Sequence, residues 1–182
     1  MKYIKIQFCI CATLLCLFLH GCGKGWSGRE VIDMTFKNNA NYPITVYSEI
    51  IPPINFYDPI VYPDTTLPYQ FPQLKMRDIQ PGFFYIYSQT ETDIPTRFGD
   101  LNSDTISIFV FSTDTLSLLG WEAVRDRYNI IQRYDISLNE YISLYTNLPT
   151  YEFPSFPPTP EMRNIKMWPP YGTYDSMGFP IR

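Results

Sequence analysis

The amino-acid sequence predicts a mainly β protein: a two-layer β-sandwich of six or seven strands with two short helices and a Pro-rich C-terminal tail. Aromatic residues make up 17 % of the 182 residues and suit strands, whereas the 17 prolines are excluded from sheet centres and predict ordered loops. Several short stretches also alternate apolar and polar residues, as half-buried strands do. An α+β arrangement with both helices packed on one sheet is the alternative.

The same alternation places the strands along the chain. A first hairpin turns in the Asn-rich segment 38–41, and Ile106, Ile108 and Val110 face away from Phe109 and Phe111 in the later strand at 104–111. Because both of its faces are apolar, that strand is predicted to be central. The predicted strands are residues 31–38, 43–48, 74–79, 83–88, 104–111, 130–136 and, at an edge, 148–153.

Two short helices interrupt this pattern. Trp121, Val124 and Tyr128 share one helix face, which predicts a helix that starts near Gly120. Ser137 stands three residues before Glu140 in an S-x-x-E capping box, and the apolar residues before and after it fit a hydrophobic staple. The second helix is therefore predicted to begin at Ser137.

The N-terminus has a different character. Residues 1–5 carry two lysines and no acid, and residues 6–19 are almost entirely apolar, which is the pattern of an export signal. The run is too short to span a bilayer, which needs about 20 apolar residues. We therefore predict a signal peptide over residues 1–21, a tether over 22–29, a β-sandwich domain over 30–153 and a Pro- and aromatic-rich tail over 154–182.

The end of this run, Leu19-His20-Gly21-Cys22, resembles the lipobox of bacterial lipoproteins, from which His20 departs. The resemblance implies cleavage between Gly21 and Cys22, a diacylglyceryl thioether on the Cys22 sulfur and acylation of the new amino group. Two or three acyl chains on one residue hold a protein firmly on a membrane, since each buried CH₂ contributes about 0.8 kcal/mol. Cys22 is thus the expected lipid anchor.

Removal of residues 1–21 would leave 161 of the 182 residues, and the loss of two lysines would take the net charge from −4 to −6. All four cysteines and the one histidine lie at or before Cys22. The mature chain then excludes cysteine nucleophiles, histidine bases and Cys/His zinc sites, and we predict no catalytic residues and no cofactor. A mildly acidic chain without basic runs also predicts no nucleic-acid partner.

Two motifs suggest surface chemistry. Asp100, Asn102 and Asp104 have D-x-N-x-D spacing, a weak candidate for Ca²⁺ because the Gly and Glu that such a loop needs are absent, so no metal site is predicted. Asp followed by Ser or Thr and an apolar residue or Thr resembles the acceptor motif of periplasmic O-glycosylation in Bacteroidota, which implies a covalent surface modification. The candidate acceptors are Thr65, Thr115 and Ser176, ahead of Thr105 at the head of a buried strand.

Further segments extend the resemblance to small lipoproteins of Bacteroidota. They are Asp-Thr-Ile-Ser-Ile-Phe-Val-Phe at 104–111, Gly-Trp-Glu-Ala-Val-Arg at 120–125, Tyr-Asn-Ile-Ile-Gln-Arg-Tyr-Asp-Ile-Ser-Leu at 128–138 and Ile-Lys-Met-Trp-Pro-Pro-Tyr at 165–171. The resemblance covers the chain broadly, is densest over 104–144, and implies a lipid-anchored position in the cell envelope, most simply the outer membrane, on either its periplasmic or its surface face. It implies no activity.

The expected function is that of a non-enzymatic binding or accessory module whose partner is a glycan or an envelope protein. Exposed aromatic side chains mark binding sites, and the loops and tail carry several, namely Tyr57, Tyr62, Tyr69, Trp168, Tyr171 and Tyr174. Two alternatives stay open. One is a structural or assembly protein of the envelope that holds a partner with its tail, and the other is a hydrolase that relies on two carboxylates.

Overall fold

The computed structural model describes residues 34–48, 66–69, 71, 76–87, 104–147 and 153–181. All of these belong to one compact unit, Ile32–Arg182. The predicted signal peptide, the lipobox and the tether lie outside the described residues, as does most of the Pro-rich segment between the second and third strands.

The described residues form eight strands, two α-helices and one 3₁₀ turn. In chain order these are β1 Met34–Asn38, β2 Ile44–Ser48, β3 Met76–Ile79, β4 Phe84–Tyr87, β5 Thr105–Ser112, α1 Thr113–Asp126, β6 Gln132–Ser137, α2 Leu138–Asn147, β7 Ser155–Phe156, the 3₁₀ turn Pro160–Asn164 and β8 Lys166–Trp168.

The strands form two sheets, which confirms the predicted mainly β, sandwich-like class. One sheet has the order β4-β1-β7 and the other the order β3-β2-β5-β6-β8. The predicted first hairpin was therefore wrong: β1 and β2 lie in different sheets, and β1 pairs with β4 instead. Neighbouring strands are antiparallel except β7, which runs parallel to β1. β5 occupies the centre of the larger sheet, as its two apolar faces predict.

The main core lies between the two sheets. Phe36 of β1 faces Tyr134 of β6 with ring centroids 6.1 Å apart, and the Tyr134 hydroxyl donates to the Ser155 carbonyl at 2.7 Å. The inner face of the larger sheet is buried and apolar, and its members are Ile44, Val46, Ile106, Ile108, Val110, Tyr134 and Ile136. Burial of these side chains provides the principal driving force for packing the sheets together.

The opposite face of the larger sheet packs against α1. Phe109 and Phe111 of β5 are buried there with Val124 of α1 and with Leu67, a residue of the segment 66–71. The two apolar faces predicted for β5 are thus confirmed, one covered by the second sheet and the other by a helix. This second layer places α1 beside the edge formed by β2 and β3.

The capping box at the start of α2 is confirmed. The Ser137 hydroxyl donates to Glu140 Oε2 at 2.7 Å, the Ser137 backbone N–H donates to the same oxygen at 2.8 Å, and the Glu140 N–H donates to Ser137 Oγ at 3.3 Å. Ile136 and Tyr141, at the two staple positions, are both buried in the main core. The side chains of Ser137 and Glu140 thus accept hydrogen bonds from N–H groups that have no partner within α2.

The first helix begins earlier than the sequence predicts. Ser112 is its N-cap and accepts from the Thr115 N–H at 3.3 Å, so α1 starts at Thr113. Gly120 lies inside it at φ 76° and ψ 163°, a conformation that is essentially restricted to glycine. The glycine that the sequence places at the helix start is instead a break between two helical segments, and the prediction near Gly120 was correct for the second segment alone.

The C-terminal segment 153–181 completes both sheets. β7 adds to the smaller sheet beside β1, and β8 adds to the larger sheet beside β6. Tyr174 and Tyr42 fix the remainder, since their hydroxyls donate to the carbonyls of Ile131 at 2.5 Å and Gly178 at 2.7 Å. β7 and β8 bring the number of strands in the described residues to eight, whereas residues 148–152 of the predicted edge strand lie outside them.

Candidate functional site

A cleft of about 470 Å³ lies between the first half of α1 and the edge of the larger sheet. Its volume falls within the range of about 300–1,000 Å³ that is typical of small-molecule sites. The lining contains polar residues from β2, β3 and α1, namely Thr45, Asp78, Thr113 and Ser117, and apolar residues around them, namely Phe71, Met76, Leu116, Gly120 and Trp121.

The strand register builds the polar floor of this cleft. Thr45 of β2 stands opposite Asp78 of β3, and its hydroxyl donates to Asp78 Oδ1 at 2.6 Å. The Thr45 and Thr113 hydroxyl oxygens are 2.9 Å apart. Because the Thr45 hydrogen is already given to the carboxylate, Thr113 must be the donor in this second contact. The hydrogen bonds therefore run from Thr113 to Thr45 to Asp78.

Aromatic rings form one wall. The Trp121 ring meets Phe71 edge to face with centroids 5.8 Å apart, and it meets Phe111 beneath in the same manner at 5.9 Å. The indole N–H of Trp121 donates to the Pro68 carbonyl at 3.0 Å. Trp121 is thereby fixed from two sides, whereas Phe71 is 47 % exposed at the rim.

Residues 66–69 are held along α1 by contacts at their backbone. Arg125 donates through Nη1 to the Tyr69 carbonyl at 2.9 Å, and its guanidinium carbon lies 4.5 Å from the centroid of the Tyr69 ring. Leu67 is buried beneath. Together with the Trp121 contact to Pro68, this arrangement fixes the segment that carries Phe71.

The break at Gly120 is part of the same wall. A Cβ built on Gly120 would meet nothing within 4 Å, so the position is open towards the cleft. The change in chain direction at this residue separates the segment that carries Thr113, Leu116 and Ser117 from the segment that begins with Trp121. The cleft therefore depends on a backbone conformation that other residues rarely adopt.

A second polar constellation is buried on the same sheet face. Arg133 Nε donates to Asp135 Oδ1 at 2.7 Å, the Ser107 hydroxyl donates to the same oxygen at 2.8 Å, and Arg133 Nη2 donates to Ser107 Oγ at 3.3 Å. The Arg133 and Asp135 side chains are only 6 % and 8 % exposed. Lys166 Nζ lies 3.8 Å from Asp135 Oδ2, and the Arg133 guanidinium lies over the Phe109 ring at 5.4 Å.

The tyrosines with shifted pKa values lie on the other side of the sheet, within the main core. Burial raises the pKa of Tyr134 well above 10, and it also raises that of Tyr174. Burial, with additional repulsion from Tyr174 and Asp175, raises the pKa of Tyr42 to about 12. Each of the three hydroxyls donates to a backbone carbonyl, so these groups act as neutral structural donors.

Of the sequence-predicted modification and metal residues, those that the structure describes do not line the cleft. Thr115 lies in the first turn of α1 with its N–H bonded to Ser112. Ser176 is exposed in a turn that the Asp175 carboxylate stabilises by accepting from the N–H groups of Met177 and Phe179 at 2.8 and 2.9 Å. Thr65 and the lipidation residue Cys22, with Gly21, lie outside the described residues.

Asp104 of the weak calcium candidate precedes β5 and accepts from the Thr105 hydroxyl at 2.9 Å, while Asp100 and Asn102 lie outside the described ranges. Within those ranges, no group of three or more His, Cys, Asp or Glu residues is placed to hold a metal ion. Neither helix described there is long and apolar enough to cross a bilayer.

The aromatic residues of the loops and tail fall into two groups, one exposed and one packed against the core. Tyr69 is 81 % exposed beneath Arg125, Trp168 packs on Tyr128 at 6.0 Å with half its surface exposed, and Tyr171 is exposed. Tyr174 instead packs against Phe156 in the core at 5.2 Å. Tyr57 and Tyr62 lie outside the described residues.

Comparison of the chain with known protein families, with curated protein sequences and with solved structures finds no match in any of the three. The functional interpretation therefore rests on the geometry of the cleft.

Sequence reasoning did not identify the cleft residues. Thr45, Phe71 and Asp78 come from three separate segments, and only the pairing of β2 with β3 and the start of α1 at Thr113 bring them together. One signal was present in the sequence. Thr45 interrupts the apolar pattern of a short strand, and a buried hydroxyl requires a polar partner.

Proposed function

We propose that this protein is a lipid-anchored, non-enzymatic module of the cell envelope that binds a ligand or an exposed group of a partner in the α1–β3 cleft. The observation that carries the proposal is the cleft itself, where an aromatic wall of Phe71 and Trp121 stands beside a hydrogen-bonded floor that ends in Asp78. Aromatic rings with a few convergent polar groups are the usual composition of a binding site.

The chemistry of the lining supports binding more than catalysis. Downstream of Cys22 the chain contains neither histidine nor cysteine. Among the described residues that line the cleft, Asp78 is the one carboxylate, and the hydroxyl of Thr45 donates to it. A carboxylate-dependent hydrolase would need a second acid facing the first across the bound substrate. The described lining does not support that mechanism.

The location in the proposal comes from the lipobox-like motif. Acyl chains on Cys22 would hold the domain at the outer membrane, on its periplasmic or its surface face, through the short tether 22–29. Fractionation of cells that express a Cys22→Ala variant tests this part. The variant is expected to move from the membrane fraction to the soluble envelope fraction. A variant that stays with the membrane would overturn the anchor.

Pull-down of the anchored protein from its native envelope, read out for both proteins and glycans, tests the binding function. The informative variant is Phe71→Ala, because its ring is half exposed at the rim of the cleft and contributes little to the core. Phe83→Ala is the matched control, since Phe83 is 67 % exposed immediately before β4, a strand of the other sheet, and is not part of the described cleft lining.

The wild-type protein and the Phe83 variant are expected to retain a component that the Phe71 variant loses. Identical sets of retained components for all three proteins would refute the assignment of the binding site. Truncation of an aromatic residue at a binding contact to alanine lowers the affinity for the partner substantially. The comparison of the Phe71 and Phe83 variants is therefore sensitive.

A structural or assembly role is the second candidate, favoured by apolar side chains that the C-terminal segment leaves exposed. They are Trp168, Tyr171, Met177, Phe179 and Ile181, between 41 % and 61 % exposed. Deletion of residues 154–182 cannot test this role, because it would remove β7 and β8 from the sheets. A Phe179→Ser, Ile181→Ser variant preserves both strands. Loss of a cross-linked envelope partner in this variant, with the cleft-dependent component retained, would support the assembly role.

A further inference from the structure

We propose that the ligand of the cleft is an organic cation, an ammonium or guanidinium group that sits against Asp78 and the aromatic wall. This inference rests on the proposed binding function and adds the chemical class of the ligand. The inference follows from the hydrogen bonds of the lining: its donors are mostly bonded inside the protein, whereas some of its acceptors are available to a ligand.

The donors of the lining are almost all engaged inside the protein. The Thr113 hydroxyl donates to Thr45, the Thr45 hydroxyl donates to Asp78, and the indole N–H of Trp121 donates to the Pro68 carbonyl. Of the side chains that the structure describes in the lining, only Ser117 keeps a hydroxyl hydrogen without a partner.

The acceptors, by contrast, are largely unused. Asp78 is exposed, and its Oδ1 accepts from Thr45, while no hydrogen bond or ion pair between described residues engages its Oδ2. The Thr113 oxygen retains lone-pair capacity, because a hydroxyl accepts up to two hydrogen bonds, whereas Thr45 is only 1 % exposed and links Thr113 to Asp78. The floor therefore presents acceptors, one of which belongs to a carboxylate, and selects a ligand group that is rich in N–H donors.

Charge and the aromatic wall favour the same class. No lysine or arginine occurs among the described residues of the lining, so none of those residues pairs with Asp78 or repels a cation. The face of an aromatic ring attracts a cation within about 6 Å of its centroid, and the Phe71 and Trp121 rings flank the floor. Within the described lining, an anion would find one carboxylate and almost no free donors, and a neutral polyol would leave its own acceptors without protein donors.

Two sources of such a group are tested side by side. The full-length protein, held in a polyoxyethylene detergent that carries no sugar headgroup, is titrated by calorimetry with spermidine, with the capped peptide acetyl-Ala-Lys-Ala-amide and with maltotetraose. Spermidine represents a free amine, the peptide represents a basic side chain of a partner protein, and maltotetraose represents a neutral glycan.

Both amines are expected to bind with an affinity that falls as salt rises, because the interaction is between charges near the surface. Asp78→Asn keeps the acceptor for Thr45 but removes the charge, and should weaken binding about tenfold or more, since a charge-assisted hydrogen bond is about twice as strong as a neutral one. Glu122→Gln removes the same charge from an exposed position of α1 outside the cleft, and should change the affinity less than about twofold.

Phe71→Leu supplies a second test that leaves the carboxylate intact. It keeps an apolar side chain at the rim but removes the ring face, and should weaken amine binding by about twofold to fivefold. Tighter binding of the peptide than of spermidine would assign the cleft to a basic side chain, and the reverse to a free amine.

The inference is overturned if neither amine binds, if Asp78→Asn binds them as the wild type does, or if the Asp78 and Glu122 variants lose affinity equally. Binding of maltotetraose that depends on Phe71, without amine binding, would also overturn it while leaving the binding function in place. The envelope pull-down decides that function separately, because it does not depend on the chemical class of the ligand.

Discussion

Removal of the Asp135 carboxylate should destabilise the domain severely, because it would leave a buried guanidinium without its partner. Arg133 and Asp135 pair at 2.7 Å with side chains that are 6 % and 8 % exposed. The Ser107 hydroxyl completes the arrangement by donating to the same carboxylate oxygen. In Asp135→Ala, Arg133 would retain its contact with Ser107 and its position over Phe109, neither of which neutralises the charge.

The expected loss is about 3–5 kcal/mol, the cost of breaking a buried ion pair from one side. A domain of this size has a free energy of unfolding of about 5–15 kcal/mol, so the loss is a large part of the total. The melting temperature should fall by about 6–20 °C, since 1 kcal/mol shifts it by about 2–4 °C at this size. Thermal unfolding followed by near-ultraviolet circular dichroism, with urea unfolding as a second measurement, gives both values.

Asp126→Ala is the matched control. Arg125 Nη2 lies 2.6 Å from Asp126 Oδ1, almost the same separation, but the Asp126 side chain is 57 % exposed. Surface pairs contribute about 0–1 kcal/mol, so this variant should be close to the wild type. The double variant Arg133→Met, Asp135→Val should recover much of the loss, because it removes both buried charges. A loss of less than about 1 kcal/mol in Asp135→Ala, or equal losses at the buried and exposed pairs, would refute the reasoning.

Three further predictions concern local structure. Gly120→Ala should cost about 1–3 kcal/mol in urea unfolding, because the backbone conformation at φ 76° suits glycine although the space around it is open. Ser137→Ala should lower the free energy of unfolding by about 1 kcal/mol in the same assay, since it removes the N-cap of α2. Stability should be fully present below pH 10 and fall as pH rises from 10 towards 12, because unfolded tyrosines ionise there while Tyr42, with its pKa raised to about 12, and Tyr134 keep their protons in the folded state. Absorbance of tyrosinate during a pH titration, read beside the free energy of unfolding, checks this last point.

Each of these has its own control. Ser117→Ala, an exposed helical position, should stay within about 0.5 kcal/mol of the wild type, and an equal effect at Gly120 would refute the backbone argument. Glu140→Gln should retain most of the cap, because a glutamine can still accept from Ser137. Titration of Tyr42 and Tyr134 near pH 10 in the folded protein, without loss of stability, would contradict the pH prediction.

Local patterns were sufficient to predict much of the larger sheet. The alternation of Ile106, Ile108 and Val110 with Phe109 and Phe111 gave both the strand and its central position, because a strand buried on two faces has no polar face to show. The capping box at Ser137 was equally local, since its two partners are three residues apart.

The start of α1 was missed for a physical reason. Thr113–Leu119 is a polar and partly exposed helical turn with weak periodicity, and its stability depends on the Ser112 cap and on packing against the sheet. The glycine that follows is a frequent sign of a helix end, and no local pattern distinguishes a break inside a helix from a helix start. The Pro-rich composition of residues 154–182 favoured an extended tail. In the structure, β7 pairs with β1, about 120 residues earlier in the chain, and β8 pairs with β6, about 30 residues earlier.

Residue pattern and composition predicted the strand-rich class, the two apolar faces of β5 and the capped start of α2, and they place every cysteine and the one histidine at or before Cys22. These depend on neighbouring residues or on composition alone. The folded domain was needed to show that Thr45, Asp78 and Thr113 share one line of hydrogen bonds beneath Phe71 and Trp121, and that the Arg133–Asp135 pair is buried. The cleft residues come from separate segments, and strand order and register, which no local pattern encodes, bring them together. Arg133 and Asp135 are two residues apart on one face of β6, so their pairing is local and only their burial depends on the fold.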